Sequence, residues 1–216
     1  MRLYLLRHGE TSWNRSHRFQ GRIDIALNEF GRELAAITRR AMPPIDFDRV
    51  YCSPLSRAVE TARIFLDGRY RLDDIIKDDR LTEISFGEYE GCDIREASAN
   101  PGHGLYNLLW HPEAYVPTGG AESLPDIIAR AGDFLTSEIM PLEGRCEHVL
   151  VVAHGALIRA VVCAAGYKEI KDFWGTQHLN CSVTTMQITG GRVTMEKEAE
   201  VFYDPTLLKE HGWSTK

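Results

Sequence analysis

The chain has 216 residues, of which 44% are hydrophobic and 26% are charged, a composition typical of one globular domain that excludes collagen-like, coiled-coil and disordered chains. Its net charge of −6 argues against a general nucleic-acid binder, which needs a broad basic face. Residues 1–40 nevertheless carry eight arginines against four carboxylates, and such a local excess suits a pocket for a small anion.

No segment has the features of a secretory signal or a membrane span. The start, MRLYLLRHGET, holds too short an apolar run for a signal peptide, and the most apolar stretch, 149–166, is interrupted by His154, Gly155 and Arg159. Five cysteines form no Cys-x-x-Cys pair and leave one over, which favours a reducing compartment over a disulfide framework. We therefore expect a cytoplasmic protein that binds neither membrane nor nucleic acid.

Three times along the chain, a short apolar run leads into a polar turn and then into a helical pattern. The first helix lies between Asn28, a good cap, and Pro43, and the second follows the start signal Ser53-Pro54. The predicted strands are residues 3–6, 47–52 and 149–153, and the second and third predicted helices are residues 55–66 and 156–165.

This alternation predicts an α/β fold, a three-layer α/β/α sandwich whose central sheet is mostly parallel with helices on both faces. Residues 181–188 and 193–197, joined by Gly190-Gly191, predict a hairpin that adds an antiparallel edge strand. Residues 84–120 are rich in Gly, Pro and aromatic residues, with weak periodicity, and we interpret them as a lid or insertion over the site. We expect a single domain over residues 1–216.

Reactive side chains follow the ends of the predicted strands. Arg7 and His8 come directly after the first strand and His154 after the third, while Arg57 lies early in the helix after the second. The carboxyl ends of parallel strands share one edge of a sheet, so these residues are expected at one rim. Guanidinium groups match phosphate oxygens and keep their charge, which indicates a site for a phosphoryl group.

Five motifs, in order along nearly the whole chain, resemble those of the histidine phosphatase superfamily, also called phosphoglycerate-mutase-like. The matching stretches are Leu-Arg-His-Gly-Glu-Thr-Ser-Trp-Asn at 6–14, Gln-Gly-Arg-Ile-Asp at 20–24, Ser-Pro-Leu-Ser-Arg-Ala at 53–58 with Glu-Thr-Ala at 60–62, Leu-Thr-Glu-Ile at 81–84 with Phe-Gly at 86–87 and Glu-Gly at 90–91, and Val-Ala-His-Gly at 152–155. One Arg-His-Gly would be weak evidence, whereas five ordered blocks are specific.

The resemblance implies an enzyme that works through a phosphohistidine. His8 would be the nucleophile, Glu83 the proton donor, and His154, Arg7 and Arg57 the phosphate pocket. Further pocket positions implied by the family are Asn14, Gln20, Gly21 and Gly155.

Elementary chemistry supports those assignments. An imidazole attacks phosphorus only when unprotonated and aimed, so we expect a backbone carbonyl to hold the other ring N–H of His8. Arginines can stabilise the charge of the transferring phosphoryl group, so no metal and no cofactor is expected. We assign His103, His111, His148 and His178 to loops and surfaces. The aromatic side chains of Tyr106, Trp110 and Tyr115 could surround an organic leaving group or pack within the lid.

We interpret the chain as a phosphatase acting on a small phosphorylated metabolite. A mutase needs cations for a doubly phosphorylated intermediate, whereas residues 84–121 hold five carboxylates against one arginine, Arg95. The basic stretch that mutases carry after the catalytic Glu is here Ile-Ser-Phe-Gly at 84–87. A mutase and an inactive phosphate- or protein-binding module remain alternatives. A dehydrogenase is excluded because the first turn lacks Gly-x-Gly-x-x-Gly, and a homodimer is left open.

Overall fold

A computed structural model describes residues 1–207 of the chain. Its strands are β1 (Arg2–Arg7), β2 (Arg49–Cys52), β3 (Ile75–Lys77), β4 (His148–Ala153), β5 (Val183–Thr189) and β6 (Arg192–Glu200). Its α-helices are α1 (Ser12–Arg15), α2 (Glu29–Ala41), α3 (Ser56–Leu66), α4 (Ile94–Ala99), α5 (Tyr106–Trp110), α6 (Leu124–Phe134) and α7 (Gly155–Ala164). A π-helical turn, Leu135–Ile139, continues α6. Single 3-10 turns lie at Leu72–Asp74, Asp79–Leu81, Gly87–Tyr89, Pro112–Ala114, Met140–Leu142 and Ile170–Asp172.

The six strands form one sheet in the order β3-β2-β4-β1-β5-β6. The four strands β3, β2, β4 and β1 are parallel, and β5 runs antiparallel to β1 and pairs with β6 as the predicted hairpin. The carboxyl ends of β1, β2 and β4 therefore meet at one edge of the sheet. Because β5 runs the opposite way, the segment that leads into it reaches the same edge.

Alternate residues of β1 enter two separate cores, one on each face of the sheet. Tyr4 and Leu6 pack with the buried faces of α2 and α3, whereas Leu3 and Leu5 pack with α6 and α7. This explains the unbroken apolar run, because a strand covered on both sides has no solvent face. The predicted three-layer α/β/α sandwich, with a mostly parallel sheet and an antiparallel edge, is confirmed.

Several boundaries differ from the sequence prediction. The second strand covers Arg49–Cys52 rather than 47–52, and Phe47 before it packs its ring against Tyr4 and Phe65. The first hairpin strand begins at Val183 rather than 181, because Cys181 has a φ of +57°, outside the β region. The edge strand β3 was not predicted from the sequence.

The 84–120 segment packs onto the α6–α7 face. Its buried residues Ile84, Leu105, Leu108 and Tyr115 belong to the core cluster that contains those helices. Its helices α4 and α5 are short, in keeping with the weak periodicity of the sequence. Whether the segment moves as a lid stays a prediction. Within residues 1–207, no helix has the length and apolar character needed to span a bilayer.

Candidate active site

The three predicted strand ends meet at one rim of the sheet. Arg7 ends β1 and pairs in register with Ala153, the last residue of β4, and the His8 amide donates to the Ala153 carbonyl over 3.0 Å. The Ser53 amide after β2 donates to the Val152 carbonyl over 3.0 Å. These bonds join the three loops that leave the strands, and they explain why residues so distant in sequence share one site.

A cavity of about 370 Å³ opens at this rim. Eight of the nine predicted site residues line it, namely Arg7, His8, Asn14, Gln20, Gly21, Arg57, Glu83 and Gly155. The ninth, His154, is fully buried beneath the wall, with its ring centroid 5.1 Å from that of His8. The structure thus brings all nine residues together.

The ring of His8 is 2% exposed and held in one orientation. Its Nδ1 lies 2.7 Å from the carbonyl oxygen of Gly9. A carbonyl can only accept, so the proton is on Nδ1 and the lone pair is on Nε2. Burial, and then the cations Arg57 and Arg7, lower the pKa of His8 well below its usual 6.5. The neutral ring that a nucleophile requires is thereby favoured.

The loop that carries His8 lies against the first turn of α2 with no side chain between them. A Cβ on Gly9 would lie 2.4 Å from the carbonyl oxygen of Gly31, and one on Gly31 would lie 2.1 Å from the carbonyl oxygen of Glu10. The side-chain amide of Asn180 donates to the carbonyls of His8 and Gly9 over 3.0 and 3.1 Å. Main-chain contacts with α2 and the side chain of Asn180 therefore set the position of the nucleophile.

Arg57 is fully buried and joins three parts of the site. Its Nη1 and Nη2 donate to the carbonyls of Ile23 and Gly21 over 2.8 and 2.7 Å, and its Nε donates to Nδ1 of His154 over 3.3 Å. His154 Nε2 lies 2.7 Å from the Ser53 hydroxyl. Burial lowers the pKa of Arg57 to about 10, and burial followed by the Arg57 charge lowers that of His154 well below 6.5.

Glu83 reaches the cavity at the start of α7. Its Oε1 accepts from the amides of Leu157 and Ile84, each at 3.1 Å, and its Oε2 accepts from the amide of Ala156 at 3.2 Å. The two α7 donors are amides that a helix N-terminus leaves without intrahelical partners. The carboxylate is thus fixed next to His154 and Gly155, which open the same helix.

Two amide side chains complete the wall. Asn14 Oδ1 accepts from the Thr11 amide at 3.2 Å, and Gln20 Oε1 accepts from the Thr11 hydroxyl at 2.9 Å. Since their oxygens are engaged within the loop, their NH₂ groups are the donors available to the cavity. Gly21 contributes its main chain, and its carbonyl accepts from Arg57.

Sequence reasoning missed part of the lining. Arg159 had drawn notice only as a break in an apolar stretch, although a cation four residues after Gly155 shares that residue's helix face, and this spacing could have revealed it. His178 is 1% exposed and lines the cavity, so its assignment to the surface was wrong. It lies in an irregular segment before β5, and no sequence signal marks it. His111 is exposed, while His103 and His148 are half-buried.

Of the two roles considered for the aromatic residues of the 84–120 segment, a wall around the leaving group is wrong, and Tyr115 has the packing role instead. Tyr106, Trp110 and Tyr115 do not line the cavity, and Trp110 is 58% exposed while Tyr115 belongs to the core. The apolar lining residues are instead Phe19, Phe86, Ile94, Leu109, Ala156, Trp174 and Leu179.

None of the five carboxylates of residues 84–121 lines the cavity, so the expected repulsion of a doubly phosphorylated intermediate by them was wrong. Glu90 accepts from the amides of Arg22 and Ile23, and Asp93 pairs with Arg95. Among residues 1–207, no group of three or more His, Cys, Asp or Glu side chains is arranged to hold a metal ion.

Comparisons with known proteins identify the family of the chain. The model of the histidine phosphatase superfamily (branch 1) matches residues 3–200. A putative phosphoserine phosphatase 2 of Hydrogenobacter thermophilus is 30% identical over 90% of this chain and 93% of its own. A 2,3-bisphosphoglycerate-dependent phosphoglycerate mutase of a Methylobacterium species is 37% identical over 74% of this chain and 78% of its own.

Among solved structures, Bacillus stearothermophilus YhfR is 32% identical with a TM-score of 0.83, covering 93% of this chain and 97% of that one. The chain belongs to the histidine phosphatase superfamily, as its motifs predict, and it is a phosphatase of that superfamily.

Proposed function

We propose that the protein hydrolyses phosphomonoesters in two steps through a phosphohistidine at Nε2 of His8. The observation that carries this proposal is the bond from Nδ1 of His8 to the Gly9 carbonyl, which leaves Nε2 with its lone pair. The lowered pKa of the ring supports the same role. A neutral, oriented imidazole beside the buried Arg57 and the half-buried Arg7 has the properties of a nucleophile for a phosphoryl group.

In the first step, Nε2 of His8 attacks phosphorus and the bond to the ester oxygen breaks. Arg7 and Arg57 hold the equatorial oxygens, where the charge of the transition state lies. His154 supports them from beneath through its bond with Arg57 Nε. Asn14 and Gln20 donate from their NH₂ groups, and the main chains of Gly21 and Gly155 form the remaining wall.

Glu83 carries the proton in both steps. As a carboxylic acid it protonates the departing alkoxide, and the resulting carboxylate then takes a proton from water. The hydroxide that forms attacks the phosphorus, the P–N bond breaks, and inorganic phosphate leaves with His8 restored. Protein side chains supply every charge that this scheme needs, so we expect neither a metal nor a cofactor.

The substrate is a small phosphorylated metabolite, since the cavity of about 370 Å³ has the size of sites that enclose small molecules. Hydrolysis is favoured over a mutase reaction by residues 84–87, Ile-Ser-Phe-Gly, which bring the apolar ring of Phe86 and no cation to the cavity. A cytoplasmic location, a homodimer and the lid role of residues 84–120 stay predictions.

Rapid quenching during hydrolysis of a ³²P-labelled ester tests the proposal. The label should be found on His8 as an acid-labile, base-stable phosphoramidate. His8→Ala should abolish both the label and turnover of p-nitrophenyl phosphate while retaining the wild-type circular dichroism spectrum. EDTA should leave the rate unchanged. Label on another side chain, or a rate that collapses in EDTA and returns with Zn²⁺, would refute this mechanism.

A further inference from the structure

One arginine of α6 binds the main chain of the segment that carries Glu83. Nη1 of Arg130 donates to the carbonyls of Arg80 and Thr82 over 2.6 and 2.7 Å. Nη2 of Arg130 donates to the carbonyl of Glu83 itself over 3.1 Å. Arg130 does not line the cavity. It therefore acts on the site through the position of this main chain rather than through a contact with the substrate.

Glu122 neutralises Arg130 and binds the same segment on the other side of Glu83. Its Oε1 and Oε2 accept from Nε and Nη2 of Arg130 over 2.7 and 3.0 Å, the paired geometry in which a guanidinium and a carboxylate interact strongly. Oε2 also accepts from the Ser85 amide over 3.2 Å, and the Glu122 amide donates to the Ser85 carbonyl over 2.8 Å. The main chain is thus bound both before and after Glu83.

The guanidinium of Arg130 uses all of its donors within the protein. A guanidinium has five N–H groups, and in Arg130 they meet three carbonyls and two carboxylate oxygens. The side chains of Arg130 and Glu122 are 16% and 11% exposed, so solvent ions screen their interaction poorly. These properties fit a group that fixes the main chain and not one that binds a substrate.

The two ends of Glu83 are therefore held by two helices that pack against each other. Its carboxylate accepts from the amides of Ala156 and Leu157 at the start of α7, whereas its main chain is bound by Arg130 of α6. Buried residues of both helices, among them Ile127 and Leu157, belong to one core cluster. This helix pair places the carboxyl group at the cavity.

We propose that Arg130 is a positioning residue for the general acid Glu83. By binding the main chain of residues 80–83, it sets how far the carboxyl group reaches towards the leaving oxygen. Proton transfer requires hydrogen-bond contact between the two, and a displacement of about 1 Å can lower a rate by about 10². This inference rests on the proposed role of Glu83, and it leaves the phosphate pocket itself unaffected.

Two esters with different leaving groups test this role. The alkoxide that leaves from glycerol 2-phosphate needs a proton, whereas p-nitrophenolate hardly does. We expect Arg130→Gln to lower kcat/KM for glycerol 2-phosphate by about 10- to 100-fold more than for p-nitrophenyl phosphate. The inhibition constant of inorganic phosphate should stay close to the wild-type value, because the phosphate pocket keeps its residues. Equal losses for the two esters would overturn the proposal.

Combination with Glu83→Gln separates positioning of the acid from general damage to the site. In a chain that already carries Glu83→Gln, the substitution Arg130→Gln should not slow glycerol 2-phosphate further, since no acid remains to be positioned. If the two losses multiply instead, Arg130 acts independently of the acid and the proposal is wrong.

The matched control is Arg80→Gln on the same segment. The side chain of Arg80 pairs with three carboxylates, those of Asp78, Asp133 and Glu138, and none of these bonds reaches the main chain near Glu83. This variant loses more ion pairs than Arg130→Gln does, yet it should keep the wild-type ratio between the two esters. A ratio that changes as much as in Arg130→Gln would show that any loosening of the segment suffices, and it would contradict a specific role of Arg130.

Glu122→Gln keeps the role testable should Arg130→Gln fail to fold. A glutamine cannot accept through both side-chain atoms, so Arg130 loses one of its two bonds to this side chain. The ratio between the two esters should change in the same direction by about three- to tenfold. An unchanged ratio in folded Glu122→Gln would contradict the proposal.

Glu83→Gln alone shows whether the proposed function or only this inference fails. If Glu83→Gln slows both esters equally, the acid role is wrong and the positioning role falls with it. If Glu83→Gln selectively slows glycerol 2-phosphate and Arg130→Gln does not, only the positioning role is overturned.

Discussion

Glu83 is positioned by main-chain donors rather than by a salt bridge. Within residues 1–207, its carboxylate oxygens accept from the amides of Ile84, Ala156 and Leu157. An amide side chain would keep the size of the group and lose its ability to give or take a proton. Substitution by Gln therefore removes the proton-transfer role while its amide oxygen can still accept from Leu157 and Ile84, at the cost of the single bond from the Ala156 amide.

Glu83→Gln should slow the hydrolysis of alkyl phosphates by about 10² to 10⁴, the usual contribution of a general acid. The loss should be much smaller for p-nitrophenyl phosphate, whose leaving oxyanion hardly needs a proton. Steady-state kcat for both esters, with circular dichroism to verify folding, measures the difference. Equal losses for the two esters would contradict the acid role.

Individual site residues could be identified from the sequence where they follow the end of a predicted strand. Arg7, His8 and His154 follow apolar runs directly, so the fold class alone brings them to one rim. Arg159 was overlooked although its spacing from Gly155 places it on the same helix face, and His178 was not recognised because the irregular segment that carries it gives no local sign of facing a cavity. Their environment depends on tertiary packing around Trp174 and Gly155.

At the scale of elements, Glu90 joins the 84–120 segment to the loop that lines the phosphate pocket. It accepts from the amides of Arg22 and Ile23 over 2.9 and 3.0 Å and from that of Phe86 over 3.2 Å. The carbonyls of the same loop accept from Arg57. The main-chain amides of this loop are thus bound by Glu90 of the 84–120 segment, and its carbonyls are bound by Arg57 of α3.

Glu90→Gln should weaken this connection, because its NH₂ group would face main-chain N–H donors. We expect about a tenfold fall in kcat/KM for p-nitrophenyl phosphate and a loss of about 1 to 3 kcal/mol in the free energy of unfolding. The matched control is Glu88→Gln, two residues away and exposed. Urea unfolding and initial rates measure both effects, and identical behaviour of the two variants would count against the role of Glu90.

Elements with strong local signals were predicted from the sequence, and short ones were not. The helix after Asn28 begins where its cap predicts, since Asn28 Oδ1 accepts from the Gly31 amide over 2.7 Å. The strand β3 has three residues, one of them buried, and forms by pairing with β2. Its sequence, Ile-Ile-Lys, has too little periodicity to reveal such an edge strand.

At the scale of the whole molecule, three buried histidines make folding sensitive to acid. Burial lowers the pKa of His178 to about 2 and is the first cause of the lowered pKa of His8 and His154. Below about pH 6.5 the unfolded chain binds protons that the folded chain does not. Stability is therefore fully present above that pH and falls as the pH drops towards the folded-state pKa values.

Each such histidine should cost about 1.4 kcal/mol per pH unit within this window. Urea midpoints at pH 7.5, 6 and 5 should fall steadily with an unchanged m-value, and His178→Gln should reduce the slope by about one third. An unchanged midpoint between pH 7 and 5 would contradict the neutral state of these rings.

The layered architecture was predicted because strand and helix patterns alternate, and residues 84–120 were expected over the site, but the residues that form the far wall of the cavity were not identified. The wall comes from the 84–120 segment and the approach to β5, whose contacts cross more than 60 residues of sequence, as between Trp174 and Leu108. Local periodicity carries no information about such contacts.

The close approach of Gly9 and Gly31 makes the start of α2 part of the catalytic apparatus, although none of its side chains lines the cavity. A contact between main chains cannot be adjusted by a change of side-chain rotamer. His8 and the start of α2 must therefore move together. Gentle heating that frays α2 should therefore inactivate the enzyme while the sheet is still intact, and screens for heat tolerance would find their gains at this remote helix end.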